Sequence, residues 1–211
     1  MSLVREIVSD AAIGVGVCDR PDGLAAITHS GCAATIWRRS RPPEDQAWID
    51  GLPGDHLPSI RQILEAGQVR VAAERACGDA GTPICPAQAR LVDDIAMLSE
   101  RFSEIVPSPY LRLRLDVIRS NLCRKFHIDT VRARLICTYR GTGTQYGIST
   151  DGGDPTRVFT VPTGAPILLK GTLWPDAHKS GLLHRSPPIE GTGETRLLLV
   201  LDPIFDLEDE F

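Results

Sequence analysis

In the run Phe126-His127-Ile128-Asp129 a single residue separates an imidazole from a carboxylate, and a second imidazole, His184, stands 57 positions further on. Residues i and i+2 of a β-strand project from the same face. A strand through His127 and Asp129 therefore aims both groups at one point. His184 is too distant for a local motif, but the gap suits strands that travel round a barrel and return. Imidazole nitrogens and an ionised carboxylate are ligands for a divalent metal, and a set of three leaves positions vacant for chemistry. The tripeptide alone carries little weight. With five histidines in the chain, His-x-Asp arises by chance roughly 0.4 times. The competing reading is a strand histidine satisfied by a neighbouring carboxylate, and the surrounding elements must decide between the two.

Those elements change character near residue 110. Before it, Leu91, Ile95, Leu98, Phe102 and Ile105 recur at spacings of 4, 3, 4 and 3, one apolar stripe of a helix that starts near Pro86 and stops before Pro107. Shorter helical pieces are expected around Trp48, Ile49 and Leu52 and over 57–66, with 69–77 ambiguous. Residues 1–36 carry only short apolar stretches broken by Gly and Pro. After Tyr110 the period becomes two, with Leu111, Leu113, Leu115 and Val117 alternating with Arg112, Arg114, Asp116 and Ile118. Strand candidates follow at 125–129, 134–139, 156–161, 166–171, 181–184 and 195–202, with Gly- and Pro-rich turns between them. The last strand is apolar on both faces, so a second layer must cover it, and the 91–105 stripe is the obvious cover. The expected fold is α+β, a double-stranded β-helix (cupin-like, jelly-roll) core with an N-terminal helical layer. All 211 residues are expected to form one domain, with mostly helical support over 1–109, a β-helix core over 110–203 and an acidic tail over 204–211.

Composition narrows the function. Hydrophobic residues at 42% and charged residues at 24% are those of a globular domain, and a net charge of −4 gives no basic footprint for nucleic acid. No run approaches the ~18 apolar residues of a membrane span. Neither nucleic acid nor membrane is an expected partner, and the expected location is cytoplasmic. Six cysteines, Cys18, Cys32, Cys77, Cys85, Cys123 and Cys137, contain no C-x-x-C pair and read as free thiols. There is no Gly-x-Ser-x-Gly and no phosphate-loop pattern. Oligomeric state and substrate, small molecule or protein, are not legible.

The order of elements around the three candidate ligands adds a resemblance. A Pro162-Thr163-Gly164 turn, an apolar strand, His184, a Gly-containing turn and a strand headed by Arg196 resemble the second half of the Fe(II)/2-oxoglutarate-dependent dioxygenase β-helix. Two histidines and one carboxylate are also the facial set of non-haem Fe(II) oxygenases. The resemblance implies Fe(II) held by His127, Asp129 and His184, with 2-oxoglutarate gripped by Arg196, 12 residues past His184, and helped by Tyr139. In wording, the segments Phe126–Asp129, Arg134-Leu135-Ile136-Cys137-Thr138-Tyr139, His184-Arg185-Ser186-Pro187-Pro188 and the strand from Arg196 to Asp202 are similar to the bacterial family named domain of unknown function 1826. That family assigns no activity, and its association with zinc-homeostasis genes implies a metal role other than iron oxidation. The alternatives are thus a non-catalytic Zn site, with Cys123 as a possible fourth ligand, and a structural cupin without metal. His178 is a candidate cap for the mouth of the site, and Lys170 a candidate anion anchor. The 141–155 segment reads as a lid without recognisable chemistry.

Overall fold

Period-two patterning and glycine turns build most of the chain, and the interruptions decide where strands end. The computed structural model describes residues 14–149, 151–175 and 180–207. In chain order the elements are β1 (Val15–Cys18), β2 (Ala34–Trp37), α1 (Pro43–Gly51), β3 (Ile60–Leu64), α2 (Val69–Asp79) and α3 (Pro86–Ile105). They continue with β4 (Tyr110–Ile118), β5 (Ala133–Arg140), β6 (Gln145–Ile148), β7 (Phe159–Thr160), β8 (Pro166–Lys170), β9 (Leu182–Arg185) and β10 (Arg196–Ile204). Each α-helix opening at Pro43 or Pro86 uses the fixed φ of proline in its first turn, where no N–H is needed.

Two sheets result. The larger runs β1-β2-β8-β5-β10-β4-β3 and the smaller β7-β6-β9. An antiparallel bridge between His127 and His184 adds the 127 segment to the free edge of β9. The inner strands β8-β5-β10-β4 and the smaller sheet then form two antiparallel layers of four, the layering of a jelly roll. Between them lies one apolar cluster, with Ile136, Ile167, Leu198 and Val200 from the large sheet against Tyr146, Leu182 and Ile189. The other face of the large sheet packs Leu113, Leu135, Leu168, Leu197, Leu199 and Leu201 against Leu91, Ile95, Leu98 and Phe102 of α3. Every residue of β10 is buried as a consequence. That explains its unbroken apolar run and places odd-numbered leucines under the helix and even-numbered residues toward the interior. Phe102 is fully buried in this seam. Phe102→Ala is expected to cost about 3–5 kcal/mol, measured by urea unfolding.

Several sequence expectations are corrected. Within the first 109 residues, expected to be mostly helical, β1, β2 and β3 also extend both edges of the large sheet. The 57–66 stretch contains a strand, β3, paired in register with β4 from Ile60↔Leu115 to Leu64↔Leu111. Its exposed Arg61, Gln62 and Ile63 suit an edge strand, and the unmet ladder of β4 outweighed a local helical spacing. The expected strand over 125–129 shrinks to the single bridge at His127. The supposed lid contains β6, paired with β9. The 69–77 stretch resolves as a helix, α2. Residues 208–211 of the acidic tail lie outside the described residues. No helix among the described residues is long and apolar enough to cross a membrane.

Candidate metal centre

His127 and His184 meet across the edge of the smaller sheet and exchange both backbone hydrogen bonds, each 3.0 Å. In an antiparallel pair, directly opposed residues show their side chains on one face, so the two rings lie together, with centroids 4.6 Å apart. The Nδ1 of His127 lies 2.9 Å from the carbonyl of Lys125, which can only accept. A proton on Nδ1 would donate to that carbonyl and leave Nε2 its lone pair for another partner. Two residues on, Asp129 turns its carboxylate to the same place. Its Oδ1 is 3.5 Å from His127 Nε2 and its Oδ2 is 2.9 Å from His184 Nε2. One donor atom from each of the three residues falls within 4.8 Å of the others, and this is the group among the described residues that could hold a metal ion.

The backbone around Asp129 is fixed by the end of β8. Thr172 N donates to Asp129 O at 3.0 Å and Gly171 N to Arg132 O at 3.0 Å. A Cβ on Gly171 would stand 2.0 Å from Val131 O and 2.9 Å from Asp129 O, so only glycine permits this approach.

The donor set fits a divalent metal. His184 Nε2 stands 2.9 Å from Asp129 Oδ2, and no other group partners that buried oxygen. A buried carboxylate oxygen left in that condition is costly. A cation shared with two imidazole lone pairs would meet the need. Burial by itself would raise the Asp129 pKa, but His184, Arg134 and His127 more than offset it and hold the carboxyl down to about 2. A pKa depressed below the unfolded value contributes stability that is present above about pH 3.8 and is lost as pH falls toward 2. Urea unfolding of metal-free protein should therefore show wild type losing more stability than Asp129→Asn between pH 5 and pH 2.

Arg196 is also interior. It is 1% exposed, donates from Nε to Thr142 O at 2.7 Å, and places Nη2 at 3.4 Å from Thr138 Oγ1. Its Nη1 is buried and has no hydrogen-bond partner. Burial pulls its pKa down to about 10, only partly opposed by Glu194. Leu198 and Val200 follow it on the same interior face, as the period-two reading of β10 expects.

Tyr139 does not join this group. It belongs to the α3 side of β5 with Leu135 and Cys137, and its hydroxyl donates to Asp94 Oδ2 at 2.7 Å, where Arg39 also binds. A strand alternates faces at every residue, so the neighbour Thr138, not Tyr139, reaches Arg196. Cys123 is exposed and is not one of the clustered donors. Lys170 donates to His29 O at 3.2 Å and lies over the Trp174 ring. His178 lies outside the described residues.

Three residues that sequence reasoning passed over belong to the site. Tyr146 is buried and pairs in register with His184, so its ring shares the interior face of that candidate donor. Arg134 donates from Nη1 to Asp129 Oδ1 and from Nε and Nη2 to Asp202 at 2.6 and 2.8 Å. Asp202 is fully buried. The available signal was the strand parity that puts Arg134 in line with Ile136 and Asp202 in line with Val200, two charges on faces otherwise apolar.

The fold has solved counterparts. The crystal structure of the dioxygenase for auxin oxidation in rice superposes with a TM-score of 0.52 at 12% identity, over 93% of this chain and 84% of that one. The dioxygenase for auxin oxidation 1 from Arabidopsis thaliana, in its binary complex with 2-oxoglutarate, gives a TM-score of 0.50 at 10% identity, over 92% and 94% of the two chains. At such identity the likeness is one of fold. No curated protein matches the sequence. A family model does match, over residues 18–202, which takes in every candidate ligand, Arg134 and Arg196. This chain is therefore a member of the family described as protein of unknown function, DUF1826.

Proposed function

We propose that the chain is an Fe(II)- and 2-oxoglutarate-dependent oxygenase. The observation that carries the reading is the open donor set of His127, Asp129 and His184 in a fold that also buries Arg196 on β10 with its Nη1 unmet. A guanidinium held in an apolar interior calls for an anion, and its planar fork suits a carboxylate. His127 Nε2, Asp129 Oδ2 and His184 Nε2 would hold the iron. Arg196 Nη1, with the Thr138 hydroxyl beside it, would take the distal carboxylate of the 2-oxo acid. The bound iron would supply dioxygen activation coupled to oxidative decarboxylation of that acid. The protein contributes orientation and the exclusion of water by Ile136, Leu198, Val200 and Tyr146, which pack between the two sheets.

A closed zinc centre with a thiolate is less well supported, because Cys123 stands outside the donor group and no fourth donor joins it among the described residues. The test is an anaerobic titration of 2-oxoglutarate into the Fe(II)-loaded protein, following the metal-to-ligand absorption in the visible. Saturable growth of that band is expected. Metal binding without any such band would overturn the oxygenase reading.

A further inference from the structure

A carboxylate can bind a metal through one oxygen or through both, and the choice sets how many positions the protein leaves open. We infer that Arg134 is a positioning residue that confines Asp129 to a single ligating oxygen and so keeps the metal centre open. The inference rests on the metal-centre reading above and assigns a role to a residue outside the ligand set.

The geometry is specific. Arg134 Nη1 donates to Asp129 Oδ1, while Oδ2 of the same carboxylate is the buried oxygen without a hydrogen-bond partner. One oxygen is occupied and the other is offered. Arg134 cannot easily turn away, because Nε and Nη2 of its planar fork are held by Asp202 Oδ1 and Oδ2 at 2.6 and 2.8 Å. Asp202 in turn is fully buried on the doubly covered strand β10, and Arg114 Nη2 approaches it at 3.4 Å. The chain Asp202–Arg134–Asp129 thus transmits the rigidity of the large sheet to one ligand atom.

A purely structural pair tying β5 to β10 would not need this arrangement. The two strands already share a backbone ladder from Leu197 to Leu201, and an apolar pair of similar volume commonly serves stability as well as a buried ion pair. The third guanidinium nitrogen goes to the ligand and to no part of the sheet. With Oδ1 held back, the protein supplies three donors. Were Oδ1 released, Asp129 could clamp the metal with both oxygens and close one of the positions that a co-substrate needs.

The test compares wild type with Arg134→Met, Arg134→Lys and Asp202→Asn, using Co(II) alone as the probe under anaerobic conditions. Calorimetry reads the affinity. Infrared difference spectra of protein labelled with carboxyl-¹³C aspartate, metal-loaded minus metal-free, read the separation between the asymmetric and symmetric carboxylate stretches, which is wide for one-oxygen and narrow for two-oxygen binding. Arg134→Met should weaken Co(II) binding roughly tenfold to a hundredfold and narrow the separation. Arg134→Lys, which keeps the charge but loses the fork, should fall between. Asp202→Asn should shift both readouts in the same direction, and it carries the test if Arg134→Met fails to fold.

A structural role alone would lower the melting temperature of the metal-free variants and leave affinity and band separation of the folded protein unchanged. That result overturns the inference, as does weaker binding with an unchanged separation. Wild-type protein that binds no metal would instead bring down the metal-centre reading itself, and this inference with it.

Discussion

Asp129→Ala, His127→Ala and His184→Ala will each abolish stoichiometric metal binding while the protein remains folded. Structural metal sites with four ligands yield roughly 10–16 kcal/mol of apparent binding free energy, so one donor of a small set is worth about 3 kcal/mol, more than a hundredfold in affinity. The fold should survive, because neither sheet depends on the ligand side chains. The His127–His184 bridge is made by backbone groups, and none of the three donors is a member of either apolar cluster. Calorimetry with Co(II) and a melting curve on the same samples check both halves. The cobalt spectrum of wild type should lack a sulfur-to-metal band, since Cys123 is not among the clustered donors. Any single Ala variant that retains one equivalent of metal at wild-type affinity would refute the ligand set.

Arg196→Ala will leave metal binding intact and weaken 2-oxoglutarate binding. Truncating one member of a buried, hydrogen-bonded charge pair costs on the order of 2–5 kcal/mol, or roughly thirtyfold to several-thousandfold in affinity. Arg196 is among the largest side chains that β10 buries completely. Its Nε bond to Thr142 O holds the side chain in place, so the loss should fall on the ligand and not on the reach of the arm. Anaerobic titration of Fe(II)-loaded variant and wild type measures the ratio. Equal affinities would separate Arg196 from the co-substrate. The separation along β10 between Arg196 and Asp202 gives the experiment further resolution. Arg134 and Asp202 belong to the ligand end and Arg196 to the other, so the variants should divide cleanly into those that move metal affinity and those that move co-substrate affinity.

Which parts were legible in the chain follows from how local each signal is. The α3 stripe and the two-faced burial of β10 follow from side-chain periodicity, a property of neighbouring residues, whereas His127 and Asp129 were legible as near neighbours although the strand expected to align them is only a bridge at His127. The interior placement of Arg196 was legible for the same reason, since it shares parity with Leu198 and Val200. The acidic and basic residues that complete the centre were not. Arg134 and Asp202 are 68 positions apart and look like two isolated charges until β5 and β10 pair. Tyr139 was misassigned because a tyrosine near the end of β5 says nothing about its face until the helical layer claims the odd-numbered positions and Asp94 takes its hydroxyl. The same limit applies to β3, whose local spacing is helical but whose backbone groups answer the open edge of β4. Periodicity along the chain marked the covering helix and the interior strand face, and residue chemistry marked the candidate donors. Only the tertiary pairing of distant strands decided which charged groups meet, because a buried guanidinium or carboxylate is stable only where the fold delivers its partner.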